Sequence, residues 1–185
     1  MFFHGLPQAS QLTNGSFEAG ISGWTATTPA TVRSDEQPSD GTLALVFDWG
    51  NVPGGAVQQS FVTAAGAVYT LTFDYWGWGG PAVHTLQVDV VGASTLLNQT
   101  VTATGSIPPS YRFFSQTFVA DSSSAKLSFL NLTSAANGLN SDVNIDRVAV
   151  TLVPEPATVA QLLGGLAALL LLRKGTRRGS PLADA

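Results

Sequence analysis

The side chains best suited to binding chemistry in this chain are aromatic rings at predicted strand ends. Trp76 and Trp78 flank a glycine at one such end, Trp49 stands beside another glycine, and Tyr111 opens a later strand. Sugar rings stack their apolar C–H faces on exposed aromatic rings, while nearby Asp, Asn and Gln bind the hydroxyls. The pattern is typical of tryptophans that cap the ends of the core. The alternative is a carbohydrate-binding platform, because residues two apart in a strand share one face in either case.

Residues that could perform catalysis are scarce. The chain has no Cys, and His84 is expected to be an exposed residue at a strand start without catalytic partners. The adjacent pair Asp35-Glu36 faces opposite ways on an extended chain, which makes a poor acid/base pair for glycoside hydrolysis. Asp74 and Asp89 lie in alternating segments and are predicted to face solvent. We therefore expect a protein that is not an enzyme.

Composition places these residues in a domain of low charge. The chain has 185 residues, only 11% of them charged, a net charge of -4 and no Cys. Stability must come from a core or a bound metal, because no disulfide can form. A weakly acidic domain without a basic stripe is not expected to bind nucleic acid.

The elements that position the candidate residues are predicted to be β-strands. Apolar residues recur with a period of two, and clusters of Gly, Pro, Asn, Asp and Ser separate the runs. Such strands with turns at this spacing predict an all-β fold, a two-sheet antiparallel sandwich of jelly-roll or immunoglobulin type. The predicted strands are 42–47, 56–62, 68–75, 85–90, 111–119, 125–132 and 144–152.

The C-terminus has a different pattern. Residues 157–172 carry no charge and are followed by a cationic cluster made of Arg173, Lys174, Arg177 and Arg178. An apolar segment stopped by cations is typical of a transmembrane helix with its basic end in the cytoplasm. As a helix the segment spans about 24 Å, short of a bilayer core. A buried core helix is the alternative, but such a helix is normally amphipathic and this one is apolar on every face.

The same region resembles a known sorting signal. Val153, Pro154, Glu155 and Pro156, followed by a short hydrophobic helix and a basic cluster, resemble the PEP-CTERM signal of Gram-negative bacteria. The resemblance implies export, recognition at the inner membrane by an exosortase-type transpeptidase, and release to the cell surface or extracellular matrix. Residues 1–9 show neither a cationic segment nor an apolar stretch of signal-peptide length. We therefore expect an upstream start codon and a mature chain that begins near Ala9 or Ser10.

A second resemblance concerns the sandwich. Asn14-Gly15-Ser16-Phe17-Glu18, followed by Gly23-Trp24, is similar to the opening of galactose-binding-like jelly rolls, the fold of many carbohydrate-binding modules. Segments 39–45, 57–61, 69–75 and 143–150 fall in the matching order. In such jelly rolls a structural calcium ion ties the first strand to the last, and the resemblance places it at Glu18, Asp40 and Asp146. The alternative is that these carboxylates form turn and edge hydrogen bonds.

These observations predict an exported surface or matrix protein with a non-catalytic β-sandwich in a structural or adhesive role. The alternative is a carbohydrate-binding module that recognises exopolysaccharide through exposed tryptophans. The predicted organisation is a residual N-terminal segment (1–9), the β-sandwich (10–152), a Pro-Glu-Pro linker (153–156), the sorting helix (157–172) and a basic cytoplasmic tail (173–185).

Overall fold

A computed structural model describes residues 9–27, 29–47, 54–79, 82–133 and 142–154. All but the last of these residues belong to the first of two units into which the chain divides, Met1–Val153. The predicted sorting helix and basic tail lie outside the described residues. Within the described part, no helix is long and apolar enough to cross a bilayer.

The described chain forms two five-stranded antiparallel sheets. The first sheet has the strand order β1-β4-β9-β6-β7, and the second has the order β2-β3-β10-β5-β8. The strands are β1 (Thr25–Ala26), β2 (Thr31–Arg33), β3 (Ala44–Phe47), β4 (Ala56–Val62), β5 (Val68–Gly77), β6 (Val83–Val91), β7 (Thr95–Thr104), β8 (Arg112–Val119), β9 (Ser124–Asn131) and β10 (Val143–Leu152).

The strand order is that of a jelly roll. From β3 to β6 each successive strand crosses to the other sheet, and β8, β9 and β10 then return to fill the places beside β5, β4 and β3. This arrangement closes two Greek keys over one core. The predicted all-β, two-sheet antiparallel sandwich is therefore confirmed.

The core fills the space between the sheets because apolar residues alternate along each strand. On β5, Tyr69, Leu71, Phe73 and Tyr75 point inward and join a core cluster that includes Phe129 of β9. Phe73 meets Phe129 edge-on, with ring centroids 5.0 Å apart. The residues that alternate with these four inward-pointing residues on β5 therefore point away from the core. This second face of the sheet carries the candidate site.

The N-terminal motif that resembles galactose-binding-like folds forms a turn that is hydrogen-bonded to β10. The indole of Trp24 donates to the Asn14 carbonyl at 3.1 Å, and the Phe17 and Trp24 rings pack 5.4 Å apart in the core. Val148 donates its N–H to the Gly15 carbonyl at 2.9 Å. A Cβ on Gly15 would lie closer than 3.0 Å to the Val148 carbonyl, so glycine is required here.

Candidate functional site

Two rows of side chains cross the face of the second sheet that points away from the core, here called the outer face. The first row contains Asn144 between Val46 and Trp76. The second contains Asp74 between Asp146 and Phe113. Directly opposed residues of an antiparallel sheet have Cβ atoms about 5 Å apart. The register therefore brings aromatic, amide and carboxylate groups into one patch.

The buried carboxylates of the described chain all belong to this region. They are Glu36, Asp74, Asp142 and Asp146. The negative charges of Asp146, Asp74 and Glu36 all act on Tyr111, whose pKa is raised first by burial and then by these three groups. The charge of Asp142 helps to raise the pKa of Arg33, after the larger effect of the Asp35 hydrogen bond. A concentration of buried acids at one place is uncommon, because desolvation of a carboxylate is costly.

Asp146 is the deepest of these acids, with 0% of its surface exposed. Its Oδ2 accepts from the Asp40 N–H at 2.8 Å and from the Ser39 hydroxyl at 3.1 Å, and its Oδ1 accepts from the Arg147 N–H at 2.8 Å. Burial raises the pKa of Asp146, while these hydrogen bonds lower it by less. The carboxylate thus fastens the 39–40 turn to β10.

Glu36 enters the same face from the loop after β2. Its carboxylate accepts from Asn144 Nδ2 at 3.4 Å, and Arg33 Nε lies 3.8 Å from its other oxygen. Arg33 also pairs with the exposed Asp35. Burial raises the pKa of Glu36, with the Asn144 hydrogen bond acting in the opposite direction.

Phe113 and Arg147 form the more accessible edge of the patch, on either side of Asp74. Asp74 is buried, and its Oδ2 lies 3.4 Å from Nε of the half-exposed Arg147. Phe113 is its direct cross-strand partner on β8 and is 62% exposed. An exposed phenylalanine beside a carboxylate and a guanidinium is a suitable surface for a sugar ring, because its π face is open and polar groups stand at its edge.

Three more aromatic rings extend the patch along the sheet. Trp76 is 0% exposed, and its indole donates to the Ser106 hydroxyl at 2.8 Å. The rings of Trp78 and Tyr111 pack against it with centroids 5.2 and 5.8 Å away. The partly exposed Trp78 and Tyr111 therefore flank a buried Trp76. Trp76 therefore agrees with the interpretation in which the tryptophans are packed, because no face of its indole is exposed. Trp49 lies outside the described residues.

Two buried polar atoms in the patch have no hydrogen-bond partner in the described part of the chain. They are Oδ1 of Asn144 and the hydroxyl oxygen of Tyr111. An unsatisfied buried polar group costs about 1–3 kcal/mol, so native proteins rarely keep one without a reason. Both residues adjoin Trp76: Asn144 is its cross-strand partner on β10, and the ring of Tyr111, just before β8, packs against it. They are the two positions where a polar ligand would gain most.

The carboxylates predicted to hold calcium contact one turn, but through hydrogen-bond donors. Glu18 accepts from the N–H groups of Thr42 and Leu43 at 2.9 and 2.8 Å and from the Thr42 hydroxyl at 2.8 Å. The Asp146 oxygens accept from three donors, one of them the Asp40 N–H, as described above. No group of three His, Cys, Asp or Glu residues able to hold a metal occurs among the described residues. The geometry favours the hydrogen-bond alternative, and calcium stays a prediction.

Two expectations about single residues were wrong. His84, expected at the surface, is buried and packs against the backbone of Gly77. Asp74, expected to face solvent, is buried on the outer face. Phe113 was not predicted as a binding residue, because the pair Phe113-Phe114 gives no sign of which ring faces the core. Phe114 pairs with Phe73 of the core, so Phe114 faces the core and Phe113 faces outward.

Comparison with known proteins gives a fold and no family. No family model and no curated protein matches the chain. Among solved structures, the TmCBM61 module in complex with β-1,4-galactotriose is 19% identical, with a TM-score of 0.58 over 78% of this chain and 99% of that one. The xylan-binding CBM22-1 domain of Paenibacillus barcinonensis Xyn10C is 18% identical, with a TM-score of 0.56 over 82% and 100%.

A third structure, described as family 16 carbohydrate binding module-2, is 14% identical, with a TM-score of 0.58 over 76% of this chain and 99% of that one. What the chain shares with these modules is the fold. At such identities the likeness carries no residue assignments, so any activity has to be argued from the outer face itself.

Proposed function

We propose that this domain is a carbohydrate-binding module and that the outer face of the second sheet is its binding surface. The observation that carries the proposal is the exposed ring of Phe113 directly opposite Asp74, in a patch that also holds the unsatisfied atoms of Asn144 and Tyr111. Structural likeness to a module in complex with galactotriose and to a xylan-binding domain supports it.

Each residue has a distinct part in this proposal. Phe113 supplies a flat apolar surface for the C–H face of a sugar ring, with Trp78 and Tyr111 beside it. The Tyr111 hydroxyl, whose residue is partly exposed, accepts a hydrogen bond from a sugar hydroxyl and loses its desolvation penalty when the ligand binds. Asn144 Oδ1 is fully covered, so it gains such a bond only where the ligand displaces the side chains over it. Asp74 and Arg147 fix the orientation of the ring at the exposed edge.

We propose that this role is non-catalytic. Glycoside hydrolysis needs one carboxylic acid and one carboxylate that are free to act on the substrate from opposite sides of the scissile bond. Among the described residues, Asp146 accepts hydrogen bonds from Ser39, Asp40 and Arg147, which fix the fold, and Asp74 pairs with Arg147. Asp74 and Asp146 also lie side by side on one face of the sheet rather than across a cleft.

The test is affinity electrophoresis in gels that contain a polysaccharide, followed by calorimetric titration with its oligosaccharides. Neutral β-1,4-galactan and xylan are the first ligands to use. Phe113→Ala should weaken binding about tenfold, which corresponds to roughly 1.4 kcal/mol. The matched control is Val119→Ala, because Val119 is exposed on the same face and the same strand at its far end.

Equal loss of affinity in both variants would contradict a site at Phe113. Absence of retardation of the wild-type protein by every polysaccharide would overturn the proposed function and favour a structural or adhesive role. Far-ultraviolet circular dichroism of each variant checks that it is folded. Because both substituted side chains are exposed, neither change should disturb the core.

For the C-terminal region we propose export followed by sorting through an exosortase-type transpeptidase. This rests on the sequence alone: the Val153-Pro154-Glu155-Pro156 motif, the apolar run 157–172 and the cationic cluster after it. Final localisation would be the cell surface or an exopolysaccharide matrix, where a glycan-binding domain would meet its ligand. The mass of the mature protein from its host tests the proposal. A mass that still includes Arg173 to Arg178 would contradict processing and leave an ordinary membrane anchor.

A further inference from the structure

We infer that the polysaccharide recognised by the outer face carries free amino groups, as in a deacetylated hexosamine polymer. This inference rests on the proposed function and names its ligand class. The first observation is the charge of the face. The buried acids Glu36, Asp74, Asp142 and Asp146 share the face with the guanidinium groups of two arginines that are already paired with acids.

The acids outnumber the cations that pair with them. Arg33 is shared between Asp35 and Glu36, and Arg147 pairs with Asp74. The face therefore has a negative potential, within a chain whose net charge is already -4. A uronic or sulfated sugar placed on it would meet like charges in a partly desolvated site, where repulsion is screened only weakly. A cationic ligand would instead be attracted.

The hydrogen-bonding balance points the same way, independently of charge. Asn144 is completely buried, its Nδ2 already donates to Glu36, and its Oδ1 is an acceptor without a donor in the described part of the chain. The Tyr111 hydroxyl oxygen on the other side of Trp76 also lacks a partner there. Asn144 Oδ1 therefore lacks a donor within the described part of the chain, and the Tyr111 oxygen, although its own hydroxyl can also donate, can accept one more hydrogen bond. An ammonium group has three donors and no acceptor, which is the complement of this surface.

The aromatic rings strengthen the match. The exposed face of Phe113 lies beside the Asp74 carboxylate, and the rings of Tyr111 and Trp78 lie further along the same face. An ammonium group over an aromatic ring is attracted to its negative face, and more strongly when it is partly desolvated. A hexosamine ring could stack on Phe113 and at the same time direct its ammonium group toward Asp74. Neutral sugars would keep the stacking and the hydroxyl hydrogen bonds but would lack this charged contact.

The experiment compares matched pairs of oligosaccharides that differ only in N-acetylation. Glucosamine and galactosamine oligomers are titrated into the full domain beside their N-acetylated forms. Acetylation removes the charge and keeps the ring, so the affinity ratio isolates the ammonium group. We expect the free amine to bind about tenfold more tightly in at least one pair, the effect of one charge-assisted hydrogen bond. Added salt should reduce this ratio.

Asp74→Asn should bring the ratio near one, whereas Asp74→Glu should keep a preference for the amine. Asp89→Asn is the control, because Asp89 lies on the other sheet and accepts from Gln87 and Asn98. If neutral glycans bind and no amine exceeds its N-acetylated partner, the inference is wrong and the proposed function stands. Failure of every glycan to bind would overturn the proposed function itself. Tighter binding of uronic acid oligomers than of amines would also overturn the inference.

Discussion

Asp74 and Asp146 are direct cross-strand partners on β5 and β10, with both carboxylates on the outer face of the second sheet. Like charges in this relationship destabilise a sheet unless something compensates them. Here the compensation is unequal. Asp146 accepts hydrogen bonds from Ser39, Asp40 and Arg147, and Asp74 has the Arg147 guanidinium 3.4 Å away. The pair therefore combines one carboxylate held by three hydrogen-bond donors with one that contacts a half-exposed guanidinium.

The first prediction concerns pH and Glu36. Burial raises the pKa of Glu36 above its ordinary value of 4.5, so folding favours its protonated form. Its stabilising contribution is complete below pH 4.5 and is lost as pH rises through the folded-state pKa. Glu36→Gln should therefore gain stability relative to wild type between pH 4 and 7. Urea unfolding at several pH values measures this, and a constant difference across that range would contradict it.

The second prediction concerns Glu18, where the sign is opposite. Hydrogen bonds from the Leu43 and Thr42 N–H groups, and from the Thr42 hydroxyl, hold the pKa of Glu18 below 4.5. Its contribution is present above pH 4.5 and is lost as pH falls through the folded-state pKa. Glu18→Ala should lower Tm at pH 7, and the gap from wild type should narrow in acid. A gap independent of pH would show that the charge of Glu18 is unimportant.

The same residue distinguishes hydrogen bonds from calcium. A metal that binds only the folded state must raise Tm. Because the Glu18 and Asp146 oxygens already accept N–H donors, we expect EDTA to leave the Tm of wild type unchanged. A fall in Tm on chelation, reversed by added Ca²⁺ and absent in Glu18→Ala, would instead confirm the calcium prediction.

The third prediction tests the N-terminal turn. A Cβ at Gly15 would overlap the backbone carbonyl of Val148, which cannot move aside without breaking the bond between Val148 N–H and the Gly15 carbonyl. Gly15→Ala should therefore lower the free energy of unfolding by about 3 kcal/mol or more. Gly20→Ala is the control. Gly20 has a positive φ of 63° but open space around it, so the cost should be about 1 kcal/mol. Equal costs would show that the close approach at Gly15 is relieved by relaxation.

The fold could be predicted from the sequence because alternation is a local signal. The segments predicted around 56–62, 68–75 and 144–152 agree with β4, β5 and β10 to within two residues. No strand was predicted at Thr95–Thr104. Its inward positions are Leu97, Gln99, Val101 and Ala103. The polar Gln99 interrupts this apolar series and the apolar Leu96 adjoins Leu97, so the period of two is weak.

The site was harder to predict because burial on the outer face depends on contacts that are distant in sequence. Asp146 is covered through the 39–40 turn, more than a hundred residues away along the chain. The indole of Trp76 finds its partner in Ser106. Alternation correctly places Trp76 and Asp74 on one face, but it cannot say whether loops cover that face. That is why Asp74 was expected in solvent and why the tryptophan pair left two alternatives open.

The fourth prediction concerns the Tyr111 hydroxyl, which separates a binding role from a packing role. This oxygen is buried and has no partner in the described part of the chain, and burial together with nearby carboxylates raises its pKa, so it stays protonated at neutral pH. Removing an unsatisfied buried hydroxyl while keeping the ring should stabilise the domain. We expect Tyr111→Phe to raise the free energy of unfolding by about 1 kcal/mol.

If the hydroxyl bonds a ligand, the same change should weaken glycan binding several-fold while stability rises, because only the complex satisfies the oxygen. Tyr69→Phe is the matched control: the Tyr69 hydroxyl accepts from the Ala64 N–H at 3.0 Å inside the core, so its loss should lower stability and leave binding unchanged. Calorimetric titration and urea unfolding on the same samples give both readings. A Tyr111→Phe variant that is less stable, or that binds as tightly as wild type, would mean that the hydroxyl does not form a hydrogen bond with the ligand.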